Sequence, residues 1–520
     1  MVKNSQPILA PISNTRLTRS IPLLLGLAAW MSLLPQVGYA DKPNIIVIMA
    51  DDLGYGDVQP LNPNSKIATP HFNRLANDGM VFSDAHSPSA VCTPTRYGLV
   101  CGRYPWRSKM KRGVLGGYSK PLIESDRQTI ATVMNQAGYQ TACVGKWHLG
   151  LGWQWNDEPK QGINHMGIAG GRAGRVNYKK PITHGPTTLG FDQSFIIPAS
   201  LDMSPYVYIR DNRVTMLPDK IIEGKKFPEF YRTGEIAEDF KIEEVMDRMT
   251  TEACRFVSES SKTDQPFFLY FPLSAPHKPV SPHPRFQGKS EFGPYGDFVA
   301  QVDWTLGEIF KVLDENKIIE NTLLIVTSDN GSFMHTRIDH QADHISDHQL
   351  QSFNSANHKS NGDWRGTKAD IWEGGHRVPF FVHWPAKING GSRSYQTICH
   401  TDILATVADV TSQEFDRSSA EDSFSFLPSL NGKDTKRPPV IHQSASGMLA
   451  IRSGHWKLIM GSGSGGRQKP RGKAFEKPFC LIDLSIDKSE SNNVIDGNQE
   501  TEGRLFKQFL EISHGDHLQK

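Results

Sequence analysis

Two acidic pairs stand far apart in this 520-residue chain, yet each directly follows an apolar run. Asp51-Asp52 comes after Asn44 to Ala50, and Asp329-Asn330 comes soon after Leu323 to Thr327. Three carboxylates and a carboxamide make an all-oxygen ligand set, which suits a hard cation such as Ca²⁺ rather than Zn²⁺. Each pair alone reads equally well as a turn former or a helix N-cap. Cationic side chains recur at similar places. Lys146 and His148 follow Gln140 to Val144, His277 follows the run Pro266 to Phe271, and Lys368 closes Arg365-Gly366-Thr367-Lys368. A lone lysine or histidine at such a position is ordinarily a surface residue. Gathered in one pocket, such donors stabilise an anion whose charge grows as a bond to oxygen breaks. Between the acidic pairs lies Cys92-Thr93-Pro94-Thr95-Arg96. By itself this segment reads as a buried cysteine before a turn.

The fold has to bring these groups together. Near-continuous apolar strands alternate with segments of helical spacing, Thr129 to Ala137 and Thr305 to Asn316. This predicts an α/β fold with a large mixed, mostly parallel sheet and helices on both faces. In such sheets ligands sit beyond the carboxyl ends of the strands, and four strands here end in charged residues. After about residue 435 the texture changes. Lys436-Arg437-Pro438-Pro439 reads as a linker, followed by short strands at Gly447 to Ile451, His455 to Met460 and Cys480 to Leu484, then a helix at Glu502 to Ile512. The expectation is a small C-terminal α+β domain with an antiparallel sheet over 436–520. The Gly- and Ser-rich run Gly461 to Gly466 is expected to be a flexible loop.

Composition excludes some functions. With 38% hydrophobic and 22% charged residues the chain is that of a globular protein, and a formal net charge of +2 without a long basic run gives no nucleic-acid signature. Lys3, Arg16 and Arg19 precede the apolar run Ile21 to Leu34, and Gly38-Tyr39-Ala40 offers small residues for cleavage. Residues 1–40 therefore read as a secretory signal peptide, and removing three positive charges leaves the remainder one unit negative. The alternative, an uncleaved anchor, would need a longer apolar run to span comfortably. No later segment looks membrane-spanning, so the expectation is an exported protein, periplasmic or secreted, free of the membrane after cleavage. Its domains would be 41–435 and 436–520. Six cysteines make no disulfide scaffold, and the five besides Cys92 are an odd number, so at least one is unpaired within the chain.

With its flanks, AVCTPTRYGLVCGRYPWR, the Cys-x-Pro-x-Arg run resembles the signature of the type I sulfatases of the alkaline-phosphatase-like superfamily. Gly145-Lys146-Trp147-His148 resembles a second motif of that family and Ala275-Pro276-His277-Lys278-Pro279 a third. Arg365 to Lys368, with Trp372-Glu373-Gly374-Gly375-His376-Arg377, resembles the later lysine motif. The resemblance covers most of residues 43–415. It implies that Cys92 is oxidised to Cα-formylglycine by a formylglycine-generating, sulfatase-maturing enzyme that reads Pro94 and Arg96. The aldehyde hydrate would attack sulfur, and the sulfated hydrate would eject sulfate by collapsing back to the aldehyde. Asp51, Asp52, Asp329, Asn330 and the hydrate at residue 92 would hold Ca²⁺, with Asp329 accepting the nucleophile's proton. Arg96 and Lys146 would stabilise the hydrate and the sulfate oxygens. His277 and Lys368 would bind sulfate and assist the leaving alcohol, His277 as the acid, and His148 would take the remaining hydroxyl proton. One departure is Cys101-Gly102-Arg103, where the family usually has Thr-Gly-Arg.

The implied activity is hydrolysis of a sulfate ester, of a small molecule or a glycan, with a sulfated carbohydrate expected from export. The rival on the same fold is a phosphodiesterase or phosphonate hydrolase, which the Lys146, His148 and Lys368 set fits less well. Two segments are expected to wall the pocket. One is His335 to Gly362, where Asp339-His340, Asp343-His344 and Asp347-His348 repeat every four residues. The other is residues 153–185, with Arg172, Arg175, Lys179, Lys180 and His184. Trp153, Trp155, Trp364 and Trp372 are candidate platforms for sugar rings, although Trp is as common in cores.

Overall fold

The structure, a computed structural model, describes residues 42–156, 175–226, 229–334, 358–433 and 437–514. The proposed signal peptide, Arg172 and the histidines at 340, 344 and 348 lie outside the described residues. Ten strands form the main sheet: β1 (Asn44–Asp51), β2 (Met80–Phe82), β3 (Gln140–Lys146), β4 (Gln193–Ile197), β5 (Ile209–Arg210), β6 (Arg213–Val214), β7 (Phe267–Pro276), β8 (Thr322–Ser328), β9 (Phe380–His383) and β10 (Ser392–Ser394). Their spatial order is β10-β2-β9-β8-β1-β7-β3-β4-β5-β6. The middle five, from β8 to β4, run parallel. The flanking pairs β8 with β9 and β4 with β5 are antiparallel.

The central strands are apolar throughout because they are covered on both faces; Ile45, Ile46, Val47 and Leu323 to Ile325 are fully buried. The predicted helix at Thr129 is present as Ile130–Gln136, with Thr129 capping the backbone N–H of Thr132. The other predicted helix begins twelve residues earlier than expected and runs Gly293–Glu315. Pro294 suits a first turn, where its missing N–H has no intrahelical partner to serve. Among the described residues no helix is long and apolar enough to cross a membrane.

A second sheet is a four-stranded antiparallel meander of β11 (Val440–Gln443), β12 (Leu449–Ser453), β13 (Trp456–Ile459) and β14 (Cys480–Asp483). The helix Gln499–Ser513 lays Leu505 and Phe509 against it. Its core also takes in Tyr104 and Cys399 from the larger part of the chain. A buried charge network joins the two sheets. Glu373 meets Arg452 at 3.4 Å and Lys457 at 3.2 Å, Asp84 meets Arg452 at 2.6 Å and Arg377 at 2.7 Å, and Glu490 meets Lys457 at 2.8 Å. His376 and His442 stack at 3.7 Å beside it. The run 461–466 is not the free loop expected of its composition. Gly461, Gly463, Ser464 and Gly465 are buried, the Ile371 N–H donates to the Ser464 carbonyl, and Ser464 N–H donates to Pro470. All six cysteines are unpaired.

Candidate active site

β8, β1, β7 and β3 are neighbours, and their carboxyl ends lie along one edge. They deliver Asp329 and Asn330, Asp51 and Asp52, His277, and Lys146 in that order. Local backbone geometry is fitted to this task. Asp52 and His148 adopt left-handed φ of 66° and 57°, a cost that persists where the surroundings demand it. Gly145, with φ 130°, is irreplaceable in place: a Cβ there would lie 1.9 Å from the Pro272 carbonyl oxygen.

Cys92 opens the helix Cys92–Cys101, whose ten residues are all buried. Pro94 falls in the first turn, where the absent N–H costs nothing. Arg96 lies four residues on, hence on the face of Cys92, and the helix N-terminus turns its partial positive charge toward the same point. Cys101 sits in the core at the far end, roughly 13 Å along the helix axis at 1.5 Å per residue. Its substitution for threonine is therefore remote from the chemistry. Gly102 follows with φ 62° as the left-handed cap.

The structure brings all ten expected residues together. One oxygen of Asp51, one of Asp329 and the Cys92 sulfur lie within 4.8 Å of one another, as do Asp51, Asp52 and the His277 ring. Lys146 Nζ donates to Asp51 Oδ2 at 2.6 Å. Arg96 Nη2 donates to Asp329 Oδ2 at 2.8 Å and lies 3.5 Å from Asp51 Oδ1, while Nη1 donates to the Lys146 carbonyl at 3.0 Å. Lys368 Nζ lies 2.6 Å from Asp52 Oδ1 and 2.8 Å from Oδ2. Asn330 Nδ2 donates to Asp52 Oδ1 at 2.7 Å, and the Asp52 N–H donates to Asp329 Oδ1 at 3.1 Å. Asp51 Oδ1 and Asn330 Oδ1 are buried without a hydrogen-bond partner. Unpartnered buried oxygens are costly, and these two fit a hard cation held by oxygen donors.

The titratable groups are tuned in different directions. Burial raises the Cys92 pKa above that of a free thiol, the opposite of what a catalytic thiolate needs. Burial opposes the charge on Arg96, but Asp329 and then Asp51 outweigh it, and the pKa rises. The same contest at Lys368 is won by Asp52, which keeps it an ammonium. His148 is driven well below the usual imidazole range by burial, then by Lys146 and Arg96. Its Nε2–H donates to the Leu115 carbonyl at 2.7 Å, and its Nδ1 is buried without a partner, so a lone pair is available to receive a proton. His277 Nδ1–H donates to the Lys278 carbonyl, and Nε2 faces Asp52 Oδ2 at 3.7 Å. Burial, then Lys368, lowers its pKa well below the ordinary value. Burial and the neighbouring ammonium thus both favour its neutral form.

The candidate walls divide. Trp153 is 8% exposed with Nε1 donating to the Gly117 carbonyl, and Trp372 is 4% exposed beneath the Arg365 guanidinium. Both are interior packing rather than sugar platforms. Trp155 and Trp364 are half-buried, and Arg377 stacks on Trp364 at 3.9 Å. Arg175, Lys179 and Lys180 are exposed and His184 half-buried. Glu373 and His376, from the later motif, belong to the inter-sheet network. Lys278, named in the third motif but given no role there, and Arg467 are half-buried, and what brings them to the site is tertiary.

A mixed, mostly parallel sheet with an oxygen-rich, cation-flanked site at its carboxyl edge defines an alkaline-phosphatase-like hydrolase. The chain belongs to the sulfatase family, whose profile matches residues 43–413, and is a sulfuric ester hydrolase. It is 35% identical to N-acetylgalactosamine-6-O-sulfatase of Bacteroides thetaiotaomicron, over 92% of this chain and 95% of that protein. It is 29% identical to human steryl-sulfatase, over 80% of this chain and 74% of that one. Among solved structures it is similar, with a TM-score of 0.76 and 33% identity, to a sulfatase described in work on glycosaminoglycan metabolism by Bacteroides thetaiotaomicron; the match covers 91% of this chain and all of that one.

Proposed function

We propose that this chain is an exported sulfatase that removes sulfate from a carbohydrate, using formylglycine made from Cys92 and a Ca²⁺ ion. The observation that carries the reading is the gathering of Asp51, Asp52, Asp329 and Asn330 around Cys92, with two buried oxygens unpartnered and the thiol pKa raised. The sugar specificity of the bacterial relative supports a carbohydrate substrate. The apolar, cation-preceded N-terminal segment supports export to the periplasm or medium.

When bound, Ca²⁺ polarises the sulfate oxygens, and formylglycine supplies a hydrated aldehyde as the nucleophile that a raised-pKa thiol cannot be. Around them each side chain has a task set by its contacts. Asp329, steadied by the Asp52 N–H and by Arg96, accepts the proton of the attacking hydroxyl. Lys146 and Arg96 hold the carboxylates in register and face the sulfate oxygens. Lys368 brings a permanent positive charge to the leaving side. His277 acquires its proton once the substrate's negative charge offsets Lys368, and passes it from Nε2 to the departing alcohol. His148, neutral with a free Nδ1, receives the hydroxyl proton whose loss lets sulfate leave.

The test joins peptide mass spectrometry of residue 92 to sulfate release from sulfated mono- and oligosaccharides, aryl sulfates and steroid sulfates. Turnover proportional to the aldehyde content, with the highest kcat/KM on a sugar, is expected. Full activity with an intact thiol would overturn the mechanism. A steroid or aryl sulfate as the sole good substrate would overturn the carbohydrate reading.

A further inference from the structure

We propose that Lys278 and Arg467 form a subsite for a second anionic group, a carboxylate or a further sulfate, on the same substrate; the proposal rests on the carbohydrate-sulfatase reading above. Each residue is anchored beside the leaving side of the site. Lys278 directly follows His277. Arg467 is pinned to the Lys368 loop, its backbone N–H donating to Asp370 Oδ1 at 2.7 Å. The turn before it fits only glycine, since a Cβ at Gly466 would meet the Ala369 carbonyl oxygen at 2.3 Å. This anchoring gives the stapled 461–466 run a purpose: it fixes Arg467 beside the loop that carries Lys368.

Neither cation has a carboxylate of its own among the described residues. Arg467 Nη1 is buried without a hydrogen-bond partner. Among the described residues Lys278 Nζ makes no ion pair, and it rests on the Phe230 ring at 4.6 Å. The nearby acids form no ion pair with either cation: Asp202 receives Arg232 on Oδ2 at 2.5 Å while its Oδ1 is buried without a hydrogen-bond partner, and Asp370 receives the backbone N–H groups of Thr367, Arg467 and Gln468. A lysine on an ordinary solvated face would keep its normal pKa. Burial pushes Lys278 down to about 8, and Arg467 and Lys368 lower it against the opposing pull of Asp202. Like charges held together, half-buried and unpaired, cost stability unless an anion joins them. Since His277 and Lys368 stand where the alcohol leaves, that anion belongs to the sugar rather than to the sulfate being cut.

The experiment compares four substrates on the mature, aldehyde-bearing enzyme: a neutral monosulfated disaccharide, its counterpart carrying a uronate, a disulfated disaccharide, and a small aryl sulfate. Wild type should show at least tenfold higher kcat/KM on one of the two anionic sugars than on the neutral one. That advantage should shrink several-fold between 50 and 300 mM NaCl, which needs no variant. Whichever anionic arm shows it identifies the group. Lys278→Met and Arg467→Gln should each lose about tenfold on that sugar and less than threefold on the neutral sugar. Equal efficiency of wild type on neutral and anionic sugars, or equal losses across all four substrates, overturns the subsite while leaving the carbohydrate reading intact. Absence of turnover on every sugar, with the aryl sulfate cleaved, overturns both.

Discussion

Arg96 is the residue whose replacement tests the architecture most directly, because one guanidinium ties three strands to the helix of Cys92. Its side chain is fully buried, with Nη2 on Asp329, Asp51 close by, and Nη1 on the Lys146 carbonyl. Arg96→Met keeps much of the apolar stem but removes the charge. Asp329 is then left buried without its strongest partner, and breaking a buried pair in this way costs about 3–5 kcal/mol. Arg96→Lys keeps the charge but cannot reproduce the planar fork. A single ammonium that stays on Asp329 abandons the Lys146 carbonyl, which costs about 1–3 kcal/mol as an unsatisfied buried acceptor. The stability loss should therefore rank Met above Lys, and urea denaturation at 25 °C measures it whether or not residue 92 has been converted. Activity needs a separate denominator, because Arg96 also belongs to the maturation pattern. Expressed per mole of aldehyde found by mass spectrometry, kcat/KM of Arg96→Lys should fall about 100-fold, the effect of displacing a reacting group by about 1 Å. A Met variant that loses less than about 1 kcal/mol, or a Lys variant with wild-type turnover per aldehyde, would refute the argument.

Gly145→Ala combines a left-handed backbone with a Cβ 1.9 Å from the Pro272 carbonyl oxygen; it should cost more than about 3 kcal/mol and shift Lys146, seen as a lower urea midpoint and lost turnover. Chelation of Ca²⁺ should lower the Tm and abolish activity, with Ca²⁺ restoring both, and Asp329→Ala should lose metal and turnover together. Elemental analysis giving stoichiometric zinc with neither calcium nor magnesium would contradict the oxygen-donor assignment. Asp303 accepts the N–H groups of His71 and Phe72 at 3.0 Å, and burial pushes its pKa up to about 7. Folding therefore disfavours its ionised form: the penalty is absent below the unfolded value near 3.8, grows as pH rises toward 7, and stays constant above. Asp303→Asn keeps an acceptor oxygen without the charge, so its Tm should exceed that of wild type at pH 8 and not at pH 4. Melts showing the same difference at both pH values would dismiss the linkage.

The strands and their charged ends were legible because a buried parallel strand must be apolar along its length and must stop where polar residues begin. Asp51, Lys146, His277 and Asp329 each mark such a stop. Pairing the four runs as neighbours is a tertiary fact, and the resemblance supplied what periodicity could not. Composition misled where packing decides. Gly461 to Gly466 looks flexible from its residues, yet its backbone is bonded to Ile371 and Pro470. Trp153 and Trp372 are aromatic and near the site in sequence, yet both face inward.

Glu373 and Lys368 show why proximity in sequence is a poor guide to shared chemistry. Five residues apart, the two side chains serve different structures: Lys368 reaches Asp52 at the sheet edge, whereas Glu373 meets Arg452 and Lys457 of the small sheet. The turn between them places each charge against its own partner. Through Glu373, the small sheet fixes the segment that carries Lys368; through Ser464, it also holds Ile371. The C-terminal part therefore acts on the site by positioning: it holds the turn that carries Lys368 and leaves the reacting atoms to the main sheet.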